Sequence, residues 1–201
     1  MMSLGPVTVK GFLKIHDPKS GEVFVDKMNA IHYENMSIAL AQSIANKNLG
    51  FIYAMAFGNG GSAVDPTGVI TYLPPNTTGT NADLYNQTYI KVVDGNSAAN
   101  TDPTRNNLTV LHTTGTVYTD VLVTCLLDYG EPAGQQAFDN STNFNGEFVF
   151  DELGLKSWEG SADDLMLITH VIFHPVQKSL NRQIQIDYTV RIQTLTNLSA
   201  A

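Results

Sequence analysis

Charged residues are scarce in this chain. Only 15% of its 201 residues are Asp, Glu, Lys or Arg, against about a quarter in an average soluble domain. Acidic residues outnumber basic ones, which gives a formal net charge of -8 at pH 7. Because DNA and anionic membranes attract basic surfaces, we expect no nucleic-acid and no membrane partner. A surface covered mainly by neutral polar groups suits a chain that lies against neighbours in an assembly.

Long hydrophobic runs and a second cysteine are also lacking. No stretch of about 18 apolar residues occurs, so no transmembrane helix is expected. The first residues, MMSLGPVTVK, show no basic start followed by an apolar core, and we expect no secretory signal. Cys125 is the single cysteine, which excludes an intrachain disulfide. We interpret its thiol as a small buried hydrophobe rather than a nucleophile.

Strand patterns dominate the chain. In RQIQIDYTVRIQT, apolar and polar residues alternate from Ile184 to Ile192, which predicts an antiparallel strand with one buried face. Pro175 is expected to end the strand before it, because proline lacks a ladder N–H. β-Branched and aromatic enrichment predicts the other strands. They are VTVKGFLKIHD and EVFVDK (a hairpin turned by PKSG), FIYAMAF, GVITYL, TYIKVVD, LTVLHT, TVYTDVLVTCLLD, GEFVFDELGL and DLMLITHVIFHP.

One helix is predicted within NAIHYENMSIALAQSIANKNLG, with Asn29 as its N-cap and Asn48 and Gly50 as its stops. The elements together predict a mainly β protein, an antiparallel β-sandwich or jelly-roll-like domain with one N-terminal α-helix and long polar loops. We assign residues 1–50 to an N-terminal arm, the hairpin and the helix, and residues 51–201 to the β-sandwich domain. The two are expected to form one compact unit, with roughly the first ten residues as the arm.

A glycine cluster follows an apolar strand in AMAFGNGGSAVDPTG. A phosphate loop would need a lysine after the glycines, and a dinucleotide site would need a following helix. Neither is present, since a turn at Asp65-Pro66 comes next. We therefore interpret Gly58, Gly60 and Gly61 as a turn with positive φ angles rather than as a cofactor site.

Other patterns that could support chemistry are incomplete. His170 and His174 would lie about 13 Å apart along one strand, too far to share a metal ion. The loop DGNSAANTD lacks the glycine and glutamate positions of a calcium loop. Glu147 and Asp151 could share a strand face, whereas Glu152 would point to the opposite one. No G-x-S-x-G nucleophile frame occurs. We expect no enzyme, and no catalytic, cofactor-binding or metal-binding residues.

The order of FGNGG, FVFDELGLKS and LITHVIFHPVQKSLNRQIQIDYTVRI resembles structural proteins of tailed bacteriophages. The matching positions are Gly58, Gly60, Gly61, Phe150, Glu152, Gly154, Leu155, Pro175, Lys178 and the strand from Ile184 to Ile192. The resemblance implies that the acidic-x-Gly-Leu segment forms a turn after a strand. It also implies a virion protein of the tail, baseplate or neck, made in the host bacterial cytoplasm. Its partners would be copies of itself, in a symmetric homo-oligomer, and other virion proteins.

Two alternatives stay open. A head decoration protein that stabilises the capsid would have a similar composition. A carbohydrate-binding receptor-recognition module would instead need exposed aromatic side chains. Trp158 and Tyr85 are the best candidates for stacking on a sugar ring.

Overall fold

The computed structural model of the chain describes residues 7–133 and 148–194. Strands account for 51% and helix for 7%, which confirms the mainly β class. The elements are β1 (Val7–His16), β2 (Val23–Met28), β3 (Ala30–Ile31), α1 (Tyr33–Ile44), β4 (Ile52–Gly58), β5 (Ser62–Val64), β6 (Ile70–Tyr72), β7 (Gln87–Val92), β8 (Asn107–Leu111), β9 (Tyr118–Leu127), β10 (Val149–Ser161), β11 (Asp164–Leu167), β12 (Thr169–Gln177) and β13 (Ile184–Thr194).

The strands form two antiparallel sheets in a sandwich-like arrangement, which confirms the predicted architecture. The first sheet has the order β2-β1-β13-β9-β8. The second has the order β3-β12-β10-β4-β7, with β11 paired to β10, while β5 and β6 form a separate hairpin. One hydrophobic core contains side chains from both sheets, among them Leu13, Ile186, Phe57 and Leu155. The sheets therefore share their buried faces.

The last strand, β13, lies at the centre of the first sheet and pairs with both β1 and β9. The alternation predicted for it is confirmed, because Ile184, Ile186, Tyr188 and Val190 are buried and the residues between them are only half-buried. Val7, the first residue of β1, pairs with Thr194, the last residue of β13. Residues 7–10 are therefore strand, as the pattern VTVKGFLKIHD predicts, and are not part of an arm. Residues 1–6 lie outside the described part of the chain.

The helix is shorter than predicted and begins differently. His32, not Asn29, is the N-cap, and its Nδ1 accepts a hydrogen bond from the backbone N–H of Asn35 at 3.2 Å. The buried face consists of Asn35, Met36 and Ala39, while Ile44 at the C-terminal end is exposed. Helix α1 thus contributes Met36 and Ala39 to the shared core.

Two strand boundaries were predicted incorrectly. The segment from Glu152 to Leu155 is not a turn, since β10 continues to Ser161. Pro175 does not end β12, which runs to Gln177. The pairing of β10 with β12 shifts register opposite Asp151, and Pro175 falls within this irregularity. A bulge of this kind accommodates a residue that cannot donate to the ladder.

Candidate functional site

Two consecutive carboxylates, Asp151 and Glu152, are buried at the register shift between β10 and β12. In a regular strand they would point to opposite faces, as the sequence predicted. Because the ladder is shifted here, both accept hydrogen bonds from residues 59–62, the turn after β4 together with the first residue of β5, which we call the glycine loop. That prediction was therefore wrong for this pair, and Glu147 lies outside the described residues. We call Asp151 and Glu152 the acidic clasp.

Both oxygens of Glu152 are fully occupied by the protein's own donors. Oε1 accepts from the backbone N–H of Gly60 at 3.0 Å and of Asn86 at 2.8 Å. Oε2 accepts from the backbone N–H of Tyr85 at 2.9 Å and from Nε2 of His170 at 3.0 Å. One carboxylate thus connects β10 and β12 to two separate loops.

Asp151 fixes the next part of the glycine loop. Its Oδ1 accepts from the backbone N–H of Gly61 at 2.9 Å. Its Oδ2 accepts from the backbone N–H of Ser62 at 2.8 Å and from the Ser62 hydroxyl at 2.5 Å. The two carboxylates therefore bind three successive residues of the loop.

His170 extends the clasp to the loop of residues 73–86. Its Nδ1 accepts from the backbone N–H of Asn76 at 2.7 Å, which leaves the proton on Nε2 for the bond to Glu152. The second histidine of the predicted pair, His174, is exposed and its Nδ1 lies 3.1 Å from the Tyr72 hydroxyl. The structure does not bring the two histidines to one site.

The pKa values of the clasp carboxylates shift in opposite directions. Burial raises the pKa of Asp151, and the hydrogen bonds from Ser62 and Gly61 offset this only in part. Burial also acts to raise the pKa of Glu152, but the hydrogen bond from His170 and those from three backbone N–H groups lower it below its usual range. Glu152 thus keeps its charge more readily than Asp151 does.

The glycines beside the clasp are needed for close approach, not for unusual φ angles. None of Gly58, Gly60 and Gly61 has a positive φ, which corrects the prediction. A β carbon on Gly58 would lie 2.5 Å from the Asn86 carbonyl oxygen, and one on Gly60 would lie 2.7 Å from the Asn86 nitrogen. The glycine loop and the loop of residues 73–86 therefore pack backbone against backbone.

A second polar cluster lines a cleft of about 470 Å³ beside β9. Arg105 pairs with Asp102 and, through Nη1 at 2.9 Å, with Oδ2 of Asp128. Lys91 pairs with Glu131 in the same cleft. Because each acidic group faces a basic one, the cleft presents little net charge to a ligand.

The loop DGNSAANTD, which was compared with a calcium loop, is held by hydrogen bonds among its own residues and their neighbours. The side-chain amide of Asn100 donates to the carbonyl oxygens of Asp94 at 3.2 Å and Asn106 at 2.8 Å. The Asn106 side chain in turn accepts from the backbone N–H of Leu126 at 2.9 Å. These amides are buried, so this part of the loop is packed against β9 rather than solvated.

Two buried side chains have strongly shifted pKa values. Cys125 is fully buried, as predicted, and burial raises the pKa of its thiol to about 12. Lys178, one position of the resemblance, is also fully buried, and its Nζ donates to the Ser179 carbonyl at 2.9 Å. Burial lowers the pKa of Lys178 to about 8, against the opposing effect of Asp128 and Glu131. Both groups are enclosed by the fold.

The aromatic candidates are engaged within the fold. Trp158 is half-buried, with ring centroids 4.6 Å from Tyr53 and 6.3 Å from Phe51. The Tyr85 hydroxyl donates to the Pro74 carbonyl at 2.7 Å, and its ring packs against His170. The Trp158 ring is therefore packed within the fold, whereas Tyr85 keeps 42% of its surface exposed.

A cleft of about 480 Å³ lies between β2, β6 and β12 and was not predicted from the sequence. Its lining includes Phe24, Lys27, the half-exposed ring of Tyr72, and His174. Lys27 Nζ donates to the Ile172 carbonyl at 2.7 Å. Three segments far apart in the chain form this cleft, so only the tyrosine in GVITYL could have hinted at it.

Several large apolar side chains are exposed on regular elements. The most exposed are Ile44 at 84%, Tyr33 at 71% and Val110 at 69%. Across residues 7–133 and 148–194, no helix is long and apolar enough to cross a membrane. Within the same ranges, no group of three His, Cys, Asp or Glu side chains could hold a metal ion.

No protein-family model matches this chain, and neither a curated protein nor a solved structure is significantly similar to it. The clasp orders loops, and the exposed apolar side chains offer contacts to other molecules.

Proposed function

We propose that this protein is a non-enzymatic structural subunit of a tailed-bacteriophage virion, located in the tail, baseplate or neck and working as a symmetric homo-oligomer. The observation that supports assembly is the set of large apolar side chains exposed on regular elements, led by Ile44, Tyr33 and Val110. A contiguous exposed apolar surface is typical of sites that another protein covers, and Val110 belongs to one, since it lines an apolar groove together with Leu40, Leu108 and Ile192. The low charge of the chain favours the same role.

The virion assignment is supported by the order of the sequence motifs, and the acidic clasp is compatible with it. A protein that bears load in an assembly benefits from loops fixed at both ends. Asp151 and Glu152 accept hydrogen bonds from backbone N–H groups of two loops, so their carboxylate oxygens are not open to a substrate. The chemistry of the clasp is that of a structural anchor.

Sedimentation velocity across a wide concentration range tests the assembly. We expect one discrete oligomer of closed symmetry, because most soluble homo-oligomers have closed point groups. A chain that stays monomeric at every concentration, and that binds no other virion protein, would contradict the proposal.

Immunogold labelling of purified particles tests the location. Label on the tail, baseplate or neck is the expected result, and label on the capsid surface would instead support the alternative of a head decoration protein. Particles that lack the protein would overturn the virion assignment while leaving self-assembly standing.

A second candidate, carbohydrate recognition, is favoured by the cleft between β2, β6 and β12. Its volume of about 480 Å³ falls in the range typical of ligand sites, and the Tyr72 ring lies beside polar groups of Asp26, Lys27 and His174. Glycan-array binding that is lost in Tyr72→Ala but kept in Tyr85→Ala would support it. Absence of binding by the unaltered protein would remove it.

A further inference from the structure

The edge strands of the two sheets differ in how they are protected against pairing with strands of other molecules. Strand β2 carries Asp26 and Lys27, β7 carries Lys91, and β3 is only two residues long. Charged residues and short strands are the means by which proteins prevent unwanted edge pairing. Strand β8, NLTVL, has neither protection, since it is five residues long and carries no charge.

The uncharged character extends well beyond β8. No Asp, Glu, Lys or Arg occurs from Asn106 to Thr119. Two copies of a chain with a net charge of -8 repel each other. The repulsion is weakest when this uncharged stretch of one copy lies against the same stretch of the other. Val110 and Leu111 are exposed at this edge.

An apolar groove of about 310 Å³ adjoins the same edge, between α1 and the β8, β9 and β13 strands. Leu108 and Val110 line it from β8, Met36 and Leu40 line it from α1, and Ile192 lines it from β13. Leu108 and Val110 are two residues apart, so both lie on the groove side of the strand. We call residues 107–119 and this groove the β8 surface.

We propose that β8 pairs antiparallel with β8 of a second copy, about a two-fold axis normal to the sheet, so that two five-stranded sheets become one sheet of ten strands. The inference rests on the proposed self-assembly and names the surface responsible. A two-fold contact uses the same patch on both copies, which fits an edge whose own strand has no charge to repel it. The charged β2 edge at the other end of the sheet disfavours a head-to-tail chain of copies.

The symmetry fixes the register of the contact. A two-fold axis normal to the sheet places one β8 residue directly opposite itself, and Thr109, the middle residue, gives all five residues a partner. Val110 then lies beside Leu108 of the second copy, and the two grooves adjoin. The β8 surface comprises 24 residues per copy, and the 19 that are not buried in the monomer are close to the lower end of the about 20–30 residues that each side of a standard interface contributes.

Val110→Lys tests this surface. Because Val110 is exposed, the monomer should fold, whereas a buried lysine near the two-fold axis should raise the dissociation constant of the oligomer at least about tenfold. Met28→Lys is the matched control, since it replaces an exposed apolar residue at the opposite edge of the same sheet. Its dissociation constant should stay unchanged, and circular dichroism verifies that both variants fold.

Cysteine crosslinking gives a second, independent measurement. Thr109→Cys should form a disulfide-linked dimer on mild oxidation, because directly opposed residues in antiparallel strands are about 4.5–5.5 Å apart between Cα atoms. Val110→Cys should not, since its copies would be separated by roughly two residues along the strand. The native Cys125 is fully buried, so the unaltered chain serves as the uncrosslinked control.

The outcomes separate the two proposals. An oligomer that Val110→Lys leaves intact, and that Thr109→Cys does not crosslink, would overturn the β8 contact while self-assembly stands. A chain that is monomeric at every concentration would overturn both. Weakening by Val110→Lys but not by Met28→Lys, together with a crosslink by Thr109→Cys but not by Val110→Cys, supports the contact.

Discussion

At the scale of single residues, Glu152 is a fully buried carboxylate that accepts four hydrogen bonds. Burying a charge is costly unless hydrogen bonds replace its hydration. Three backbone N–H groups and one imidazole do so here, and those groups in turn would be left unsatisfied without the carboxylate. The acidic clasp is therefore a point where one side chain determines the order of two loops.

Glu152→Gln preserves the shape of the side chain but replaces one acceptor oxygen with a donor. Two of the four hydrogen bonds are then lost, and buried donors without partners cost about 1–3 kcal/mol each. We expect urea denaturation to show a free energy of unfolding reduced by roughly 2–6 kcal/mol. Glu22→Gln, at an exposed glutamate, should change it by less than about 0.5 kcal/mol. Equal effects of the two substitutions would contradict a structural role for Glu152.

The pH dependence follows from the lowered pKa of Glu152. Its stabilising contribution is complete above the unfolded pKa of about 4.3, and it is lost as the pH falls through the lower folded pKa. Asp151, with a raised pKa, acts in the opposite sense, since its contribution falls as the pH rises through its folded pKa. Stability measured in urea should therefore show the gap between the unaltered protein and Glu152→Gln narrowing below about pH 4.3. A gap that widens on acidification would refute the assignment.

At the scale of elements, the loops are ordered by the fold itself. Residues 73–86 form no strand. The backbone N–H groups of Asn76, Tyr85 and Asn86 nevertheless donate hydrogen bonds to buried side chains of β10 and β12. Long loops often depend on a binding partner for order. This one is anchored from the inside, and it packs closely on the glycine loop.

Gly60→Ala tests that close packing. The added β carbon would lie 2.7 Å from the Asn86 nitrogen and 2.8 Å from Cβ of Tyr85, so the two loops must separate. We expect a loss of about 1–3 kcal/mol in thermal or urea unfolding, with faster amide exchange at Asn86. Gly130→Ala is the control, because its β carbon would meet nothing within 4 Å. A neutral effect of Gly60→Ala would show that the loops can move apart freely.

At the scale of the whole molecule, β1 and β2 belong to the same sheet as β13, and their core side chains pack with those of the second sheet. We therefore expect cooperative unfolding in a single transition. Trp158, the only tryptophan, lies in β10 and reports on the second sheet by fluorescence, while far-UV circular dichroism reports on all strands. The two urea transitions should coincide. Separate midpoints would indicate that the sheets unfold independently.

The sequence by itself determined the strands whose period is local: the alternation of β13, the hairpin of β1 and β2, and the burial of Cys125. It also determined the low charge. These features depend on residues close together in the sequence, because the alternation of apolar and polar side chains and the residue preferences of turns extend over only a few positions.

Only the tertiary structure decided where the acidic clasp forms and which sheet edge stays open. Asp151 and Glu152 meet one loop because β12 shifts register against β10, and Pro175 sits inside β12 for the same reason. Likewise, LTVLHT predicts a strand but not that β8 ends a sheet beside α1. Register and strand order depend on hydrogen bonds and packing between residues far apart in the chain, and no local pattern contains that information.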